Sequence, residues 1–167
     1  LRKSDLSQVA ESANYGGIIY AIAADAEFVY VGGGTTQTIR KLRKSDLSQV
    51  AESASYGSII YAIATDYEFV YIGGGAPQTV RKLRKSDLSQ VAESASYSGN
   101  IRVIATDDEF VYVGGTTYTQ TVRKLWKSDL SQVAESANYG GIIRAIATDD
   151  EFVYVGGEIN QIHRPQL

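Results

Sequence analysis

The chain has 167 residues, 44% of them apolar and 21% charged, the balance of a globular domain large enough for a real core. A net charge of −3 and a pI near 5.2 leave no electrostatic footprint for nucleic acid or an anionic membrane surface. There is no Cys and no Met, which excludes disulfides and thiolate metal sites but leaves the compartment open.

The chain starts at Leu1 in the middle of a repeating pattern, without Met, and is expected to be a processed, cut or engineered piece. No run has the length of a membrane span, and none reads as a signal peptide. Ten residues, KSDLSQVAES, recur unchanged from Lys3, Lys44, Lys85 and Lys127, at spacings of 41, 41 and 42. The extra residue falls in the loop GGTTYTQT, where an insertion is cheap. Copies this alike must sit in nearly the same environment.

Between these phrases lies a hairpin signal, IIYAIATDYEFVYIGGG in the second copy: two runs rich in Ile, Val, Tyr and Phe around a short acidic turn. In that copy strand A is predicted over residues 59–65, B over 68–73, C over 78–85 and D over 89–94. Asp66 and Tyr67 make the A–B turn, the Gly73 to Gly75 cluster the B–C turn, and Ser86 with Asp87 the C–D turn. Tyr56, Gly57 and Ser58 cross to the next unit. One segment also fits a helix: Leu88, Val91, Ala92 and Ala95 fall at i, i+3, i+4 and i+7 behind a capping Ser86 or Asp87. A β-rich strand-plus-helix repeat is therefore the alternative to four strands.

A period near 41 residues is what one four-stranded propeller blade needs. The inner strand I-x-x-I-A-x-D, the second strand F-V-Y-V-G-G and the V-x-K-L-x-x-x-D-L that follows resemble blades of the quinoprotein, YVTN and WD-repeat type of β-propeller. The resemblance spans the chain and implies an all-β propeller of near-identical blades. The WD dipeptide, the Gly-His pair and the quinoprotein tryptophans are missing, so it implies no cofactor.

One domain over residues 1–167 follows, with blades at about 17–56, 58–97, 99–139 and 141–167, the last completed by residues 1–14. Pairing the degenerate strand C (residues 161–167, QIHRPQL) with the first strand D leaves no bare sheet edge. Closure is open to a four-bladed monomer, but the small residues of strand D suit narrow wedges between blades. They favour a homodimer of two half-rings with eight blades.

Candidate chemistry is sparse. The acidic turn Asp107, Asp108 and Glu109 has Ala26 and Tyr67 at its middle position in other copies, which reads as a hydrogen-bonded turn rather than a calcium loop, and no metal is expected. On strand A one position varies, as Tyr20, Tyr61, Arg102 and Arg144, offering an aromatic half and a cationic half for a ligand in a channel. The crossover tyrosines Tyr15, Tyr56, Tyr97 and Tyr139, beside Asn14, Ser55, Ser96 and Asn138, are pocket candidates for a multivalent lectin-like module. His163 is the lone histidine and lacks a nucleophile partner; Trp126 stands where Arg43 and Arg84 stand in other copies; the Arg-Lys-Leu-Arg-Lys strand reads as solvated. The expectation is a non-enzymatic scaffold or binding module whose partner is a second copy, with a glycan or protein ligand as a further partner and no nucleic acid or membrane.

Overall fold

The computed structural model describes residues 1–117, 119–159 and 162–164, and every element in them is β. The first sheet contains β1 (Ile19–Ala24), β2 (Phe28–Gly33), β3 (Ile39–Arg43) and β4 (Gln49–Glu52). The second contains β5 (Ile60–Thr65), β6 (Phe69–Gly74), β7 (Arg81–Arg84) and β8 (Gln90–Glu93). The third contains β9 (Asn100–Thr106), β10 (Phe110–Thr116), β11 (Arg123–Trp126) and β12 (Gln132–Glu135). Each is an antiparallel meander in sequence order. β13 (Ile143–Thr148) and β14 (Val153–Gly157) form a fourth hairpin, and a bridge from Val155 to His163 begins its third strand. Of the expected last strand over residues 161–167, Gln161 and residues 165–167 lie outside the described residues.

The helical alternative for SDLSQVAES does not form. Asp87 Oδ1 accepts the backbone N–H and the hydroxyl of Ser89, a tight local turn that competes with helix hydrogen bonding. Leu88 then sits at φ 60°, in the left-handed region, with Leu47 and Leu130 alike in their copies. Strand C is shorter than expected, starting at Arg81 rather than at residue 78, because Gln78 adopts φ 65°.

The glycines after the second strand serve close approach. A Cβ on Gly74 would lie 1.9 Å from the Ile59 carbonyl oxygen, where the hairpin register shifts between Ile60 and Ala62. Sheets stack through their first two strands: β1 and β2 on β5, β5 and β6 on β9, β9 and β10 on β13. The outer strands splay, so the four units fan along an arc. Among the described residues β1 and β13 make no contact, and residues 1–13 pair with no strand.

The core lies between neighbouring sheets. Tyr30 and Ile39 of the first pack with Ile60, Ile72 and Leu88 of the second; Tyr71 and Val80 of the second pack with Ile101, Val113 and Leu130 of the third. The outer wedge is thus filled by the leucine of the C–D turn, not by strand D, whose Val50, Val91 and Val133 stay exposed.

Candidate functional site

Strand A brings its variable position into a row. The rings of Tyr20 and Tyr61 meet edge-on with centroids 5.4 Å apart and planes at 69°. The guanidinium of Arg102 lies 4.0 Å from the centre of the Tyr61 ring. Three sheets therefore contribute to one continuous stack, because their first strands are the ones that abut. Arg144, at the end of the row, pairs with Glu158 and is largely exposed. Tyr20 is half exposed, so the row opens to solvent at its aromatic end.

The crossover tyrosines are placed differently. Tyr15, Tyr56, Tyr97 and Tyr139 are all buried, and their hydroxyls donate to the backbone carbonyls of Thr38, Thr79, Thr121 and Ile159. Arg40, Arg81 and Arg123 cover the first three rings at about 5 Å, donate to the carbonyls of Asn14, Ser55 and Ser96, and pair with Glu52, Glu93 and Glu135. His163 takes the arginine's place over Tyr139, with ring centroids 5.0 Å apart. Burial pushes the Tyr97 phenol up to about 12. Asn14 and Asn138 accept the N–H two residues on, and Ser55 and Ser96 do the same. These side chains cap turns rather than point into a cavity.

The acidic turn is the hydrogen-bonded device its pattern suggests. Asp66 Oδ1 accepts the N–H groups of Glu68 and Phe69, and Oδ2 accepts the Tyr71 hydroxyl at 2.8 Å. The same set recurs at Asp25, Asp107 and Asp149. Among the described residues no group of three or more His, Cys, Asp or Glu is placed to hold a metal ion.

The lysines of strand C differ from the solvated strand expected. Lys41 and Lys82 are buried: each ammonium lies over a phenylalanine of its own sheet, Phe28 or Phe69, and donates to a carbonyl of the next sheet, Lys85 or Lys127. A buried ammonium survives only with such partners. In return Lys85 pairs with Asp25 at 2.9 Å and Lys127 with Asp66 at 3.2 Å. Adjacent sheets are therefore clasped by reciprocal bonds. In sequence Asp, Phe and Tyr keep one mutual spacing in every copy and Lys41, Lys82 and Lys124 follow in the first three, but the sheet each lysine reaches is not written there. Trp126, half exposed, packs its ring 4.6 Å from that of Phe110.

No family model matches the chain, and no curated protein matches it. Solved structures do. The chain is similar to the computationally designed Ika4 protein at a TM-score of 0.84 and 14% identity, over 95% of this chain and 96% of that one. It is similar to the computationally designed Ika8 protein at a TM-score of 0.78 and 14% identity, over 92% of this chain but 51% of that one. The likeness is one of fold, in repeated antiparallel sheets.

Proposed function

We propose that the chain is a non-enzymatic repeat scaffold and binding module, and that its four units form half of an eight-bladed β-propeller closed by a second copy. One observation carries the reading. Ile60, Ile101 and Ile143 are fully buried by the preceding sheet, while the equivalent Ile19 is 47% exposed at the free face of the first sheet. Ile18 and Ile22 beside it are 64% and 68% exposed. At the other end of the arc, a Cβ on Gly156 would meet nothing nearer than 3.9 Å, whereas on Gly73 or Gly114 it would strike the isoleucine of the next sheet, and on Gly32 it would lie 3.0 Å from Ile60. Each end thus carries one half of the junction that the interior sheets make with each other, the self-complementary arrangement of an isologous pair.

The overlay of the arc on about half of a longer designed chain supports an arc that continues beyond four sheets. The non-enzymatic reading is supported by the recurring polar side chains, whose Asp, Tyr, Arg and Glu groups are engaged with one another or with backbone. The ligand-facing surface of the module is the Tyr20, Tyr61 and Arg102 row. Light scattering on the purified chain tests the assembly: a mass twice the 18.1 kDa of one chain is expected, and a mass of 18.1 kDa refutes it.

A further inference from the structure

We propose that residues 1–13 of one chain dock into the groove outside the third and fourth hairpins of a second copy, completing its fourth sheet with Lys3, Leu6 and a strand over residues 8–11. The inference rests on the two-chain reading and names the segment that each chain exchanges.

The segment is already shaped for that place. The Arg2 N–H donates to the Ser7 carbonyl, the Leu6 N–H to the Arg2 carbonyl, and the Ser7 N–H to Asp5 Oδ1. The C–D turns at Arg43, Arg84 and Trp126 carry the same bonds. Leu6 has φ 56°, against 59°, 60° and 63° for Leu47, Leu88 and Leu130. Yet among the described residues the leucine of this turn joins none of the apolar clusters. Leu6 is 69% exposed, whereas Leu88 and Leu130 are 2% and 1% exposed inside the junctions they fill.

The groove lacks the parts the segment carries. The cluster between the third sheet and the fourth hairpin holds Tyr112, Val122, Ile143 and Val155 but no turn leucine, unlike the two clusters before it. Asp25 and Asp66 each receive a lysine from the next repeat, and Asp107, whose repeat equivalent of that lysine is Lys3, receives none. Lys124 lies over Phe110 at 3.9 Å as Lys41 and Lys82 lie over Phe28 and Phe69, but those two also reach the carbonyls of Lys85 and Lys127. The carbonyl equivalent to these belongs to Lys3. A cleft of about 1000 Å³ opens here between the two acidic turns, where Asp107, Asp108, Glu109, Asp149, Asp150 and Glu151 outnumber the lining cations Lys124 and Arg164. Arg2 and Lys3 bring the opposite charge. His163 pairs with Val155 as Arg40 pairs with Val31, and in the first sheet it is Glu52 of β4 that pairs with Arg40.

A second copy is the occupant because residues 1–13 lead into β1, at the opposite end of the arc from β13, and these two strands do not touch. Light scattering and sedimentation of the full chain, Leu6→Asp and Lys3→Glu test the docking. Leu6 and Lys3 are exposed in the single chain, so both variants keep the β circular dichroism of the parent. The ring buries Leu6 twice, once from each chain, so Leu6→Asp is expected to weaken association about 10- to 100-fold per junction, on the order of 100- to 10,000-fold for the dimer. Lys3→Glu is expected to weaken it further as salt is lowered. If the parent is a dimer and both variants associate as tightly as it does, the docking is overturned while the two-chain ring stands. If the parent has the mass of one chain, both fall together.

Discussion

Gly114 is the residue at which sheet-to-sheet packing is most directly tested. A Cβ built there lies 2.5 Å from Ile143 Cγ2 and 3.1 Å from both Ile143 Cβ and Ile146 Cδ1. Ile143 is fully buried, with the fourth hairpin on one side and the third sheet on the other, so it has no free rotamer to take. Gly114→Ala must therefore push the hairpin away or distort the isoleucine, an overpacking cost of about 1–3 kcal/mol. For a chain of this length each kcal/mol moves the melting temperature by about 2–4 °C, so a fall of roughly 2–12 °C is expected in a circular dichroism melt. Gly156→Ala is the internal control, since its Cβ meets only Ala145 Cβ at 3.9 Å, ordinary contact. It leaves the single chain as stable as before, but in a two-chain ring it meets the partner's Ile19. Its effect is then confined to the concentration-dependent part of the melt. An unchanged or higher melting temperature for Gly114→Ala would refute the tight junction. An equal loss for both variants at every concentration would refute the distinction between interior and end.

Two further outcomes follow from the acidic turns. Burial pushes the Asp66 carboxyl up, but the Tyr71 hydroxyl, the Phe69 N–H and Lys127 together hold it below the usual carboxylate range. A group depressed in the folded state stabilises above its unfolded value near 4, and that stability is lost as pH falls below it. The melting temperature should drop as pH falls below about 4, less steeply in Asp66→Asn; a melting temperature that rises on acidification would contradict this. EDTA should leave the melting temperature unchanged, because both oxygens of Asp66 and Asp107 already accept protein hydrogen bonds; a fall of several degrees would show a bound cation.

The three complete sheets were legible because their signals are local. Alternating Ile, Val and Tyr, an Asp at the tip and Gly at the close specify a hairpin wherever they occur. The fourth strand was less so, since its leucine, valine and alanines satisfy a helical period as well. What decides is Asp87 with Ser89, whose turn takes Leu88 to positive φ before a helix can start. The site was legible in part. The variation at Tyr20, Tyr61 and Arg102 marked residues that do stack. The crossover tyrosines bury their rings beneath arginines from a strand 25 residues or so further on, a pairing no local pattern announces. The lysine clasp was hidden for the same reason: Lys41 finds its acceptor on Lys85, in another repeat.

The near-identity of the repeats is what gives the two ends their meaning. Ile19, Ile60, Ile101 and Ile143 are the same residue, on the same strand, with the same bulge beside each of them. Any difference in their burial must then come from the neighbouring sheet and not from local structure. The same comparison applies to Leu6 against Leu88 and Leu130, and to Asp107 against Asp25 and Asp66. All three comparisons place the missing contact at the ends of the arc, and each end supplies what the other lacks. An open solenoid would be expected to cap its terminal repeats with polar residues. Here the first strand keeps Ile18, Ile19 and Ile22 in the open, an apolar face that the proposed second copy would cover.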